Sequence, residues 1–290
     1  MNSNNRESWE LTRSITEANE FINDKQKKSA DRKGYVRKPI IDFIEFKDCV
    51  VDTLHLLLRI SECLLKSLME KLDLADSIIG KFNTADLTLR PNLKKFLDFL
   101  QCECKIYSPY YIKERDTDGV QVKLRSLNSN ELEKFFNRLK KETILTMFPS
   151  LKKELNRINF CLIEFWNIYC LIKNSQRPFN SIDELKIRLK NWVEVFMKMS
   201  CKNSSKFTPY IHIFVHHIPE FLLIHGEIDS FNCQGLEKLN HLIKMSYFSN
   251  SNKHSKEYLK QLLQKRNREE FIEQKGTIEE IETLVQNRNQ

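Results

Sequence analysis

Histidines and carboxylates carry the chemistry this sequence can offer, and they are unevenly spread. Residues 208–244, TPYIHIFVHHIPEFLLIHGEIDSFNCQGLEKLNHLIK, hold five of the chain's seven histidines. His212 and His216 are four apart and so share one face of a helix, with His217 one position further round. Two such imidazoles can meet one metal ion. The same spacing also suits histidines that only pack against, or face solvent from, an apolar helix. A closed zinc site takes four ligands, and no CxxC accompanies these histidines. Glu237 follows Gly235 and precedes His241 by one helical turn, with Asn240 beside it. A carboxylate near a helix start can hold a divalent cation, or can merely complement the positive end of the helix.

Two ordered stretches resemble a known family. YIHIFVHHIPE (210–220) and HGEIDSFNCQGLEKLNHLIK (225–244) resemble the C-terminal catalytic core of the V(D)J recombination-activating recombinase and its Transib transposase relatives. In that family a Y-x-H-x-x-x-x-H-x-P-E run precedes a G-x-I turn and a helix bearing E-G-x-E-x-x-N. The resemblance puts His212 and His217 in the places of the family's two zinc-binding histidines. It puts Glu237 in the place of the last carboxylate of the DDE metal-binding triad, and Asn240 matches as well. Upstream, KPIIDFIEFKDCVVDTLHLLLRISE (38–62) is similar to the family's K-P-x-I segment ending in D-x-L-H, so Asp52, Leu54 and His55 find counterparts in the same order. The matches frame most of residues 38–260, and the middle agrees in helical pattern alone.

The departures bear on activity. DDE chemistry uses carboxylates on a ribonuclease-H-like sheet to hold two Mg²⁺ or Mn²⁺ ions, which activate water or a 3′-hydroxyl and stabilise the leaving oxygen. No β-rich region here carries the first two aspartates. In the family those aspartates, and the CxxC that completes the zinc site, lie upstream of the matched segment. Gln234 stands where the family has Glu, and Cys102 and Cys104 form a CxC that reads as ordinary thiols. The resemblance therefore implies a transposon-derived DNA-binding protein, a piece of a DDE transposase or recombinase core without autonomous strand cleavage. It implies Zn²⁺ at His212 and His217, Mg²⁺ or Mn²⁺ at Glu237, and DNA, a second copy or another transposase chain as partners. Two alternatives stand beside it: a helical protein-interaction module that does not bind nucleic acid, and a truncated gene model of an active transposase.

The elements that must position these residues are helical. A composition of 41% hydrophobic and 30% charged residues with only 6 Gly and 7 Pro excludes a disordered chain and a many-stranded β protein. The expected fold class is mainly α, a multi-helix bundle resembling the helical insertion and C-terminal helices of a DDE recombinase core, with no complete ribonuclease-H-like sheet. Met1–Glu10 is polar, without the apolar core of a signal peptide, and no stretch approaches the roughly 18 apolar residues of a membrane span. An intracellular protein with no membrane partner is expected, and the resemblance implies the nucleus. Eight cysteines read as reduced thiols, with Cys63, Cys161 and Cys170 inside apolar helical patterns. The net charge of +8, from 47 Lys+Arg against 39 Asp+Glu, suits an anionic partner such as nucleic acid, or solubility alone.

Along the chain, residues 1–38 form a polar basic arm or linker, with a basic cluster from Lys25 to Lys38. A helical domain is expected over 39–200, a C-terminal helical segment with the histidine cluster and Glu237 over 201–275, and a frayed tail over 276–290. Periodicity predicts a long amphipathic helix from Asp48 to Leu72, its stripe running through Val51, Leu54, Leu58 and Leu68. Further helices are predicted from Pro91 to Cys104, from an Asn130 cap to Pro149, and from Ser150 to Lys173. A capping pattern at Ser181 and Glu184 opens a helix through Met199, and Thr208 with Pro209 opens another through Ile224, stopped by Gly226. The last two are placed at Gln234–Tyr247 and Ser255–Gln274, and Tyr107–Asn128 reads as loop or a short hairpin.

Overall fold

Long apolar runs with few glycines and prolines give a mainly α protein, as the composition requires. The computed structural model describes residues 50–77, 86–115, 119–173, 181–199 and 208–250, together with 20, 260, 264, 267 and 268. Among them are nine α-helices and one two-stranded sheet. Nearly all of the basic arm, residues 39–49 of the K-P-x-I segment, the tail and nearly all of the helix expected over 255–274 lie outside the described residues; Lys260, Gln264, Asn267 and Arg268 are helical. The chain divides into two compact units, Met1–Asn232 and Cys233–Gln290.

In the first unit, α1 (Thr53–Ser77) buries Leu56, Leu57, Ile60, Leu64, Leu65, Leu68 and Leu72. Leu54 and Leu58, placed on the stripe by the sequence, are only half-buried. A nearly continuous run of leucines leaves the phase of the helix open, and packing against neighbouring helices sets it. Asp76, wholly buried in the last turn of α1, accepts hydrogen bonds from the backbone N–H groups of Asn92 (3.1 Å) and Leu93 (2.9 Å). It thereby caps α2 (Pro91–Asp98) from outside, supplying an acceptor for first-turn donors that have none in their own helix. A π-helical turn, Phe99–Glu103, extends α2, and Leu93, Phe96, Leu97 and Leu100 are buried as the periodicity predicts.

The hairpin is real: β1 (Tyr110–Arg115) pairs antiparallel with β2 (Gly119–Leu124), Tyr110 opposite Leu124 and Ile112 opposite Val122. The helix α3 (Ser129–Arg138) is capped by Asn128 and not by Asn130. Asn128 Oδ1 accepts from Glu131 N–H and Glu131 Oε2 from Asn128 N–H, both at 3.0 Å, a capping box that only this three-residue spacing closes. The helix also stops short of Pro149. Leu139 is extended, and Thr143 Oγ1 accepts from the Lys140 N–H (2.9 Å), diverting the backbone into a turn before the short α4 (Thr143–Met147).

Centrally, α5 (Lys152–Lys173) packs on α1, α4 and the next helix, α6 (Ile182–Met197). Ser181 Oγ accepts from Glu184 N–H, and Leu185, Leu189, Trp192 and Phe196 are buried, with Trp192 Nε1 donating to the Cys161 carbonyl at 2.9 Å. Cys161 sits in this core, where burial pushes its thiol up, and Cys104 is likewise pushed up to about 12. Cys63 is half-buried, whereas Cys170 and Cys102 are exposed. The described cysteines are free thiols. No helix among the described residues is long and apolar enough to cross a membrane.

Candidate metal centre

The histidine cluster is built by two short helices, α7 (Pro209–His216) and α8 (Ile218–His225). Thr208 Oγ1 caps α7 by accepting from Ile211 N–H (3.3 Å), and Pro209 occupies the first turn, where no N–H is needed. One side of α7 is fixed in the core: Ile211, Phe214 and Val215 are buried, and the Phe214 ring lies 5.3 Å from Phe165 and 5.2 Å from Trp192. That anchoring sets the roll of the helix. His212 and His216 emerge on its flank, half-buried, with ring centroids 4.9 Å apart.

The sequence reads one helix through Ile224, whereas the structure breaks it at His217. Pro219 is the cause, because it lacks an N–H and its ring opposes the carbonyl four residues back. The break makes the site. On a continuous helix, residues five apart point about 140° away from each other. Here His212 and His217 instead face each other, Nε2 to Nε2 at 3.2 Å. His217 Nδ1 lies 3.1 Å from Glu220 Oε2, and both side chains are largely buried. A carboxylate only accepts, so Nδ1 carries the proton and Nε2 of His217 presents its lone pair; His212 Nε2–H then donates to it. Burial, and secondarily the neighbouring His217, hold the His216 imidazole below its usual basicity.

Two imidazole nitrogens bound to one tetrahedral zinc at their ordinary bond lengths stand about 3.3 Å apart. The His212–His217 separation fits that value, and Glu220 supplies the carboxylate that typically orients a metal-binding histidine through its other nitrogen. A tetrahedral zinc would take two ligands beyond this pair. Among the described residues no group of three or more His, Cys, Asp or Glu side chains comes together as a metal site. The structure places His212 against His217, the two positions that the resemblance singles out, and adds Glu220 beside them. The signal for Glu220 was present in the sequence as a His-x-x-Glu spacing within the quoted run.

Glu237 lies in the second unit, in the first turn of α9 (Gln234–Asn250). Its side chain is exposed, and its N–H donates to the Cys233 carbonyl at 2.9 Å. One exposed carboxylate does not hold a two-ion centre, which takes carboxylates beyond it. At the start of α1, Asp52 accepts from Leu54 N–H (3.0 Å) and contacts His55 Nδ1, so the D-x-L-H residues form a carboxylate–imidazole pair that caps the helix. Tyr169 is held well above its usual range, first by burial and then by the charges of Glu133, Asp229 and Asp52. No protein-family model matches the chain, and no curated protein matches it.

Proposed function

We propose that this chain is a transposon-derived DNA-binding protein, equivalent to the helical insertion and last catalytic helix of a DDE recombinase core, and that it does not cleave DNA strands by itself. The His212–His217 pair carries the reading. Two histidines that a motif resemblance picks out five residues apart face each other at a zinc-like separation, where α7 gives way to α8 just before Pro219. Zn²⁺ held by Nε2 of His212 and of His217 would cross-link α7 to α8, a structural role. Glu220 keeps the His217 proton on Nδ1 and its lone pair on Nε2. Two ligands of four leave the other pair to a further segment or a partner chain, in line with a piece of a larger recombinase assembly.

Glu237 is the retained carboxylate of the DDE set under this reading, and Mg²⁺ or Mn²⁺ would be its ion. The excess of 47 Lys+Arg over 39 Asp+Glu supports phosphate contacts, and a protein acting on chromosomal DNA works in the nucleus. Binding of the purified chain to duplex DNA should fall linearly in log affinity against log salt, because each phosphate contact releases a condensed counterion. Absence of binding at low salt would favour a protein-interaction module instead. Robust Mg²⁺-dependent nicking that Glu237→Gln abolishes would overturn the claim that the chain cannot cleave alone.

A further inference from the structure

We propose that the basic cleft formed by α1, α5 and the end of α6 is a phosphate-binding site through which the chain grips the backbone of duplex DNA, an inference that rests on the DNA-binding reading above. The cleft has a volume of about 260 Å³, and its described lining gathers Lys71 from α1, Lys153 and Arg157 from α5, and Lys198 from the end of α6, together with the Glu154 carboxylate. Its floor is apolar, made by the buried Ile158 and Met199. Lys153, Arg157 and Lys198 bring three positive charges from two elements into one concavity, and like charges set close together repel. A bound anion reverses the sign of that energy. The arrangement is not a by-product of charge pairing within a helix, since Lys71, Arg157 and Lys198 are far apart in the sequence and meet only in the fold.

Arg157 is aligned for the task. Its Nη1 donates to the Lys198 carbonyl at 3.0 Å, which fixes the guanidinium and ties the end of α6 to α5. That bond uses one of five N–H donors and leaves the rest of the planar fork for a tetrahedral anion, the geometry in which arginine binds phosphate. Lys153, Arg157 and Lys198 are exposed at the rim, and Lys71 is half-buried. An apolar floor below a cationic rim suits a phosphodiester with its flanking sugars better than a small, fully hydrated anion.

The test uses the whole chain, a short DNA duplex and inorganic triphosphate, with affinity measured over a range of salt. Compared are the wild type, a cleft variant (Lys153→Gln, Arg157→Gln, Lys198→Gln) and a control that removes equal charge from exposed lysines elsewhere (Lys94→Gln, Lys134→Gln, Lys190→Gln). The cleft variant should bind duplex roughly tenfold or more weakly, with a salt slope shallower by about 2–3, at about 0.9 per lost phosphate contact. The control should lose far less. Should the triple variant fail to fold, Lys153→Gln alone, at an exposed rim position, should flatten the slope by about 1. Equal losses in cleft and control variants overturn the cleft while leaving DNA binding intact. A wild type that ignores duplex at every salt overturns the function proposed above. If that wild type still takes triphosphate and the cleft variant does not, the cleft is an anion site and its assignment to DNA is overturned.

Discussion

Two polar networks in the first unit are built from similar parts and differ in how they end. At the base of the hairpin, the Arg125 guanidinium donates from Nε to the Ser108 carbonyl, from Nη1 to the Ser126 carbonyl and Glu131, and from Nη2 to the Tyr107 carbonyl and Glu131. All five donors are used, and Glu131 is further bonded into the capping box of α3. In the histidine turn, the line from Glu220 through His217 to His212 runs into two nitrogens that share one proton. A saturated network has no place for a ligand and holds structure. An N–H···N bond between two imidazoles can give up its proton in exchange for a cation, and so can do chemistry.

Breaking the saturated network should produce the larger effect on stability. Arg125 clamps Ser108, which holds a positive φ of 46° without being glycine, and it joins the hairpin to α3. Arg125→Ala should cost about 1–3 kcal/mol in a chemical denaturation experiment, because it removes charge-assisted bonds and leaves Glu131 poorly paired. Arg125→Lys should recover little of this, since an ammonium cannot reproduce the planar fork. A lysine variant as stable as the wild type would show that charge alone, and not saturation, holds the junction.

The histidine turn should respond the other way, weakly in stability and strongly in metal affinity. Glu220→Gln keeps the size of the side chain and removes the carboxylate that fixes the His217 proton. Zinc affinity, measured by competition with a chromophoric chelator, should fall about tenfold or more, as loss of such orienting partners does elsewhere. With zinc chelated, stability should change by less than about 1 kcal/mol, because the amide oxygen can still accept from His217 Nδ1–H. Wild-type protein with no measurable zinc affinity would end the distinction between the two networks.

Much of this was readable in the chain, and what was hidden shares a cause. Helices α5 and α6, the Ser181 and Thr208 caps and the hairpin follow from local patterns that act within a few residues. The histidine pair was readable as candidates, but their meeting depends on the break that Pro219 imposes, and an apolar run on both sides conceals it. Asn130 attracted the cap because it lies nearest the apolar stripe, while the reciprocal bond to Glu131 selects Asn128. The Arg125 clamp and the basic cleft left no local trace. Each draws members from more than one element, at 107, 108, 126 and 131 in one case and at 71, 153, 157 and 198 in the other.

The smallest effect separates the two networks by charge. The Arg125 guanidinium hydrogen-bonded to Glu131 holds that carboxyl below its usual value of 4.5. A carboxyl with a depressed folded value binds fewer protons in the folded than in the unfolded state, so its stabilisation is present above the unfolded value and is lost as pH falls through the folded one. Glu131→Gln should therefore be less stable than the wild type at neutral pH, and the gap should close as the solution is acidified below 4.5. Thermal melts of both proteins across that window, at constant ionic strength, measure the gap directly. Other carboxylates with depressed values, such as Glu62, weaken both proteins alike on acidification and cancel in the difference. A gap that stays constant with pH would mean that Glu131 acts at the junction through shape and neutral hydrogen bonds. The contrast with the histidine turn would then rest on saturation alone and no longer on ionic pairing.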